Sequence, residues 1–339
     1  MKKLTAILLT ALLVLACVGC NGTPATTTGN NDVTTDAPAT GDAPATDNVA
    51  ETKVYNIGIV QLVQHDALDQ ATEGFQAALV EKLGEANVKF DYQNASGDVA
   101  TCSTIVDKFV TNNVDLIMAN ATPAVQAAKE ATADIPIVGT SVTDYAASEL
   151  VASNEAPGGN VTGASDMNAV TNQMELVKTF APDAKNVGIV YCSAEDNSKL
   201  QFEEAKGVFE AEGYTVTGYA VADVNELIAV IDAAVADNDV LYEPTDNLVA
   251  ANMEVVKNAA VPAGVPVICG EESMCLAGGV ASYSVNYYSV GSEAGLMAYE
   301  ILVNGKSPAE LPIKIFTLDE LTLIQNKDVM AEMNITPIE

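Results

Sequence analysis

A two-lobed α/β architecture, each lobe a doubly wound parallel sheet and the two joined by a hinge, is predicted by three features of the sequence. Short apolar runs alternate with longer amphipathic stretches over most of the chain, the pattern of buried parallel strands separated by crossover helices. The alternation starts twice with similar residues, Val54-Tyr55-Asn56-Ile57-Gly58-Ile59-Val60 upstream and Lys185-Asn186-Val187-Gly188-Ile189-Val190-Tyr191 downstream. Between the halves lies an extended run, Asn160-Val161-Thr162-Gly163-Ala164-Ser165-Asp166, which reads as a hinge strand with a ligand cleft beside it.

The chain opens on Met1-Lys2-Lys3, followed by an apolar run from Leu4 to Ala16. A basic start before a run too short to span a bilayer comfortably predicts a secretory signal peptide over residues 1–16. Val14-Leu15-Ala16-Cys17 resembles the lipoprotein signal, in which the first mature cysteine receives lipid, and Cys20 is the alternative lipidation site. Residues 17–53 then form a lipid-anchored flexible tether. Asn21 to Thr52 is dominated by Thr, Ala, Pro, Asp, Asn and Gly, too little apolar surface to offset the entropy of ordering.

In the first half, Tyr55–Val60, Val88–Tyr92, Asp115–Ala119 and Ile135–Val138 read as strands. Between them, Leu68–Leu83 carries Phe75, Leu79 and Leu83 at helical spacing and stops at Gly84. Thr101–Asn112 has Ile105, Val106, Phe109 and Val110 on one face, and Pro123–Thr132 starts with a helix-compatible proline. In the second half the expected strands are Val187–Tyr191, Thr215–Ala220, Val240–Glu243, Val265–Cys269 and Val280–Tyr283. The expected helices are Ser198–Glu212, Val224–Ala236, Leu248–Ala260 and Ser289–Val303, with a last strand pair, Ile313–Phe316 and Leu321–Ile324, before a terminal helix around Lys327–Met333. Lobe 1 is expected over residues 54–164 plus about 284–316, and lobe 2 over 165–283 plus about 317–339.

The 46 acidic against 15 basic residues leave a formal charge of −31. That excludes a nucleic-acid partner, whose phosphates need a basic patch, and disfavours electrostatic binding to anionic lipid. Repulsion between copies agrees with a monomer. Beyond the signal region the cysteines are Cys102, Cys192, Cys269 and Cys275, and none pairs at C-x-x-C spacing. No metal and no cofactor is expected; a Cys269–Cys275 disulfide and buried free thiols both remain open. Gly305-Lys306-Ser307 has Glu300 where a phosphate loop needs glycine, and Gly291-Ser292-Glu293-Ala294-Gly295 lacks nucleophile-elbow spacing. His65 is the single histidine, so no catalytic residue is assigned.

In doubly wound sheets ligands bind beyond the carboxyl ends of the strands, so the strand-end loops hold the site candidates. They are Gln61, His65, Thr122, Thr143, Asp166, Asn197, Ser198, Asp246, Tyr283 and Asn286. These loops are rich in acid, amide and hydroxyl groups and poor in Lys and Arg. A zwitterion suits them: Asp166, the carboxylate nearest the hinge, meets an ammonium, while hydroxyls and helix N-terminal amides take a carboxylate. Asp166 has a second reading as a cap for a helix near Thr171, and Asn197-Ser198, Thr122-Pro123 and Asp246-Asn247 have helix-start readings of their own. Of Tyr283, Tyr287 and Tyr288, one is expected to touch ligand.

The residues Gln64-His65-Asp66-Ala67-Leu68-Asp69 with Gly74-Phe75, Ala121-Thr122-Pro123, Ala156-Pro157-Gly158-Gly159-Asn160-Val161-Thr162-Gly163 with Ser165-Asp166, Glu195-Asp196-Asn197-Ser198 and Asn286-Tyr287-Tyr288-Ser289-Val290-Gly291 carry a resemblance. From about Val54 onward the chain resembles the type I periplasmic-binding-protein fold, and within it the ABC-transporter solute receptors of the tryptophan/tyrosine-binding lipoprotein family. The family more usually has Pro at the place of Asp66 and an acidic residue at the place of Ser289. The resemblance implies an extracytoplasmic, lipid-anchored receptor that closes on an aromatic amino acid and presents it to an ABC permease. A branched-chain amino acid, another small solute or a surface-sensor role is the alternative. A cell-surface enzyme would need a nucleophile or metal cluster that is not recognisable here, and a transcription regulator would need a basic headpiece where an acidic tether stands.

Overall fold

The computed structural model describes residues 53–338. The expected signal peptide, the lipidation at Cys17 or Cys20 and the tether as far as Thr52 lie outside the described residues.

The first half of the chain lays down β1 (Tyr55–Gln61), α1 (Asp66–Leu83), β2 (Val88–Asn94), α2 (Val99–Thr111), β3 (Leu116–Asn120), α3 (Thr122–Ala131), β4 (Ile137–Val142) and β5 (Val161–Ser165). β3, β4 and β5 are buried at every residue, as strands covered by helices on both faces must be. The resulting sheet has the order β2-β1-β3-β4-β5 and is parallel throughout. At α2 the start is set by Asp98, whose side chain accepts from the Thr101 amide.

The second half forms α4 (Val170–Phe180), β6 (Asn186–Cys192), α5 (Asp196–Ala211), β7 (Thr215–Val221), α6 (Val224–Asp237) and β8 (Val240–Glu243). It continues through α7 (Asn247–Ala251), α8 (Met253–Ala263), β9 (Val267–Cys269), α9 (Glu272–Ala277), β10 (Ala281–Ser284), α10 (Tyr287–Leu302), β11 (Thr322–Gln325) and α11 (Lys327–Glu332). Its sheet runs β11-β10-β9-β8-β6-β7. An all-parallel second sheet was the expectation; β11 instead pairs antiparallel with β10, Ala281 facing Gln325 and Ser284 facing Thr322. The reason is geometric. The chain enters β11 from the side at which β10 leaves for α10, so the two neighbours run in opposite senses. Two other expectations are also corrected. The stretch Leu248–Ala260 is two helices, α7 and α8, parted at Asn252, and Ile313–Phe316 is no strand but a single bridge between Lys314 and Ala164.

The chain passes between the sheets after β5, after β10 and after Lys314. After β5, Val170, Met174 and Val177 of α4 join the core of the second sheet. After β10, α10 returns to the first sheet, where Val290, Ala294 and Ala298 pack with Ile57, Phe75 and Met118. α1 and α10 cross in backbone contact: a Cβ on Gly291 would lie 1.8 Å from the Ala71 carbonyl oxygen, and one on Gly74 would lie 2.1 Å from that of Tyr288. After Lys314, whose carbonyl accepts from the Ser165 amide at 2.8 Å, Val329 and Met330 close the second core. Gly163 on β5 is pressed against Gly139 and Tyr145, with 2.2 Å between an added Cβ and the Gly139 oxygen. Only glycine lets the hinge strand sit under Tyr145, whose hydroxyl donates to the Ala164 carbonyl at 3.1 Å. All four cysteines of this region are free and buried, so no Cys269–Cys275 disulfide forms.

Candidate functional site

A narrow polar cavity of about 10 Å³, room for about one water in the present arrangement, lies between the lobes, at the carboxyl ends of the strands as expected for doubly wound sheets. From the first lobe come His65 after β1, Ser141 and Thr143 at the end of β4, and Asp166 after β5. From the second come Asn197 at the start of α5, Thr245 to Asn247 after β8, and Glu271 after β9. No lysine or arginine lines it.

Three carboxyls face this cavity, and they differ in what they have left to offer. Glu271 caps α9, accepting from the Met274 amide at 2.8 Å on one oxygen and from the Ser273 amide at 2.5 Å on the other. Asp246 caps α7 through Val249 at 2.9 Å and accepts from the Cys192 amide at 2.5 Å with its second oxygen. Asp166 accepts the Tyr287 hydroxyl at 2.8 Å on Oδ2, while Oδ1 is buried with no partner. Burial lifts the Asp166 carboxyl to about 6, against the Tyr287 hydroxyl, whose hydrogen bond favours the charged form. Burial likewise lifts Glu271 to about 7. Burial first and mutual repulsion second raise Glu195, and burial raises its neighbour Asp246.

Other polar atoms along the same wall are also without partners. They are Ser141 Oγ, Asn197 Oδ1 and His65 Nδ1. Ser141 has a φ of 54°, a left-handed backbone unusual for serine that is held only where the surroundings demand it. Buried polar groups normally have hydrogen-bond partners, so several orphans around one cavity make it the candidate place for a polar group. Contacts between the lobes frame them: Gln201 Nε2 donates to Thr143 Oγ1 at 2.9 Å, and Thr143 and Thr245 hydroxyls stand 3.4 Å apart.

Of the sequence-derived candidates, His65, Thr143, Asp166, Asn197 and Asp246 are brought together here. The others stand apart from the lining. Gln61 is buried beneath α1, donating to Asp69 at 2.7 Å and accepting from Thr72 at 2.7 Å. Thr122 is buried in the first turn of α3. Ser198 is buried behind the wall, 3.3 Å from the Asn197 amide nitrogen. Tyr283 exchanges backbone bonds with the Gln173 side chain, and Asn286 caps α10 by accepting from Ser289 at 2.9 Å. Among the tyrosines the lining residue is Tyr287, not Tyr283 or Tyr288. Glu271, absent from the sequence-derived candidates, lies in the loop after β9, which the same strand-end rule reaches. No group of three or more His, Cys, Asp or Glu side chains able to hold a metal occurs among the described residues.

Residues 56–339 match the model of the family described as ABC transporter substrate binding protein. A tyrosine-binding protein of Clostridioides difficile (strain R20291) is 37% identical over 336 residues, 98% of this chain and 92% of that one. Among solved structures, one from Streptococcus pneumonia, described as an ABC domain in complex with L-Trp, is 34% identical with a TM-score of 0.81, covering 85% of this chain and 97% of that one. The ligand-free, open structure of a Clostridium difficile substrate binding protein with adhesive properties is 39% identical, yet its TM-score is 0.65, covering 84% and 97%. The chain thus superposes better on the L-Trp complex than on the ligand-free, open structure, although its identity to the latter is higher.

Proposed function

Because the chain belongs to the ABC transporter substrate-binding protein family, we propose that this solute receptor closes its lobes on an aromatic amino acid. The observation that carries this reading is Asp166 Oδ1, a buried carboxylate oxygen without a partner in an interlobe cavity that no lysine or arginine lines. An ammonium supplies what that oxygen lacks. The Ser141 hydroxyl and the first-turn amides of α5, whose Asn197 lines the cavity, suit the ligand carboxylate. Leu68 and Ala250 supply apolar lining for the side chain. The names of the C. difficile and S. pneumonia relatives favour tyrosine or tryptophan among such ligands.

In this reading the protein works outside the cytoplasm as a monomer, held at the membrane by lipid on Cys17 or, alternatively, Cys20. It hands its ligand to an ABC permease and performs no chemistry on it. Gln61, Thr122, Ser198, Tyr283 and Asn286 support the walls rather than touch the ligand. A thermal-shift screen of the full chain tests the ligand class. A ligand at 100 times its dissociation constant adds about 2.7 kcal/mol, a melting shift of roughly 5 °C for a protein of this size. Tyrosine, tryptophan or phenylalanine should give that shift. A shift with leucine or a sugar and with none of the three would overturn the assignment.

A further inference from the structure

The two ring nitrogens of His65 face different surroundings. Nε2 lies 3.3 Å from Asn247 Oδ1 across the cleft. Asn247 is oriented from its other side, where its amide nitrogen donates to Glu195 Oε2 at 2.5 Å. With that nitrogen committed, Asn247 presents its carbonyl oxygen to the imidazole, and only a protonated Nε2 can satisfy it. Burial pushes the His65 pKa down, against the pull of Asn247, Asp69 and Asp66, so the ring is neutral and its free lone pair sits on Nδ1.

Nδ1 has no use within the protein. It is buried without a partner on a residue that lines the cavity, and it does not cap α1 although His65 occupies the N-cap. Leu68 stands one helical turn beyond His65, and Ala250 one turn beyond Asn247, so both fall on the faces of their helices beside these two residues. This part of the cavity therefore combines apolar flanks with one unpartnered acceptor on a lining residue. Asp166 and its partner Tyr287, by contrast, belong to the hinge crossings.

Resting on the aromatic-amino-acid reading above, we propose that His65 Nδ1 accepts a hydrogen bond from the ligand's aromatic side chain. The site then selects tyrosine and tryptophan, which carry a ring O–H or N–H, over phenylalanine, which carries none. Phenylalanine would leave a buried acceptor unpaired. Sites built to bond a substrate hydroxyl reject the analogue without it, whereas a purely apolar slot would favour phenylalanine because it is the cheaper ring to desolvate.

Calorimetric titration of the full chain with L-tyrosine, L-tryptophan and L-phenylalanine tests this. Tyrosine should bind about tenfold or more tighter than phenylalanine. In His65→Gln, the side-chain amide can still reach Asn247, but no acceptor stands where Nδ1 was, and the tyrosine-to-phenylalanine ratio should collapse to within about threefold. In His65→Asn, whose oxygen falls near the Nδ1 place, part of the ratio should survive. Melting curves close to that of the unsubstituted chain establish that each variant is folded. Equal affinities for tyrosine and phenylalanine in the native chain would overturn the proposal. So would equal weakening of both ligands by His65→Gln, which would leave His65 as an interlobe contact alone. If none of the three amino acids binds, the aromatic reading falls and this inference with it; if they bind without discrimination, only this inference falls.

Discussion

Around the cavity the number of acids matters less than the number of free oxygens. Glu271 and Asp246 spend both oxygens on backbone amides, and only Asp166 keeps one unspent. Asp166→Asn keeps the shape and removes the charge, so calorimetry should show a loss of at least about 2 kcal/mol, roughly thirtyfold, in amino-acid binding; unchanged affinity would reduce Asp166 to a partner of Tyr287. The same carboxyl gives a pH dependence. Its folded-state value of about 6 lies above the ordinary 3.8, so the acid form is favoured by folding. That stabilisation is complete below pH 3.8 and lost as pH rises through 6, a change on the order of 3 kcal/mol. Glu271, raised to about 7, acts in the same direction. The ligand-free protein should therefore melt higher near pH 5 than near pH 8. Ligand binding needs the charged form of Asp166, so affinity should fall as pH drops below 6; a flat affinity profile from pH 7 to 5 would contradict the ammonium pairing. At this scale the site was partly legible. A strand-end loop announces itself by polar residues after an apolar run, which located His65, Thr143, Asp166, Asn197 and Asp246. Nothing in such a pattern says which oxygen is already engaged, or that Gln61 turns inward to Asp69 and Thr72 instead of outward.

Periodicity served the elements well where an apolar run was clear, as at β1 and β3, or where apolar residues recurred at helical spacing, as at α1. It failed where tertiary context decides. Asn252 ends α7 because its backbone leaves the helical region at φ −127° and ψ 24°, while its side chain donates to the Leu248 carbonyl at 2.8 Å; the apolar pattern runs straight through that break. The direction of β11 follows from the route of the chain between the lobes, which no local pattern encodes. The α1–α10 crossing shows how strongly an element can depend on one hydrogen atom. Gly291→Ala places a methyl group 1.8 Å from the Ala71 oxygen, and neither helix backbone can yield without moving its packed face. We expect a loss of about 2–4 kcal/mol in chemical denaturation, within the range of severe packing substitutions. Because Tyr287 begins α10 and bonds Asp166, the same substitution should also weaken ligand binding. A variant of native stability would show that the helices have room to part.

For the whole molecule, the crossings after β5, after β10 and after Lys314 form a hinge beside the cavity, while the contacts Gln201–Thr143 and His65–Asn247 join the lobes across it. The sequence repeat at Ile57-Gly58-Ile59 and Val187-Gly188-Ile189 made the two halves visible, and the Asn160–Asp166 run marked the first crossing; α10, expected with lobe 1 within about 284–316, packs on α1 through Gly291 and Gly74, a close approach that no local pattern reveals. A ligand favours closure only through contacts that the open state cannot make, and here Asp166 and Ser141 lie on the first-lobe side of the cavity while Asn197 and Thr245 lie on the other. The most direct measurement is small-angle scattering of the full chain with and without saturating L-tyrosine or L-tryptophan. A smaller radius of gyration with ligand is expected, as an open population closes around it. An identical radius with and without a ligand that calorimetry shows to be bound would contradict it.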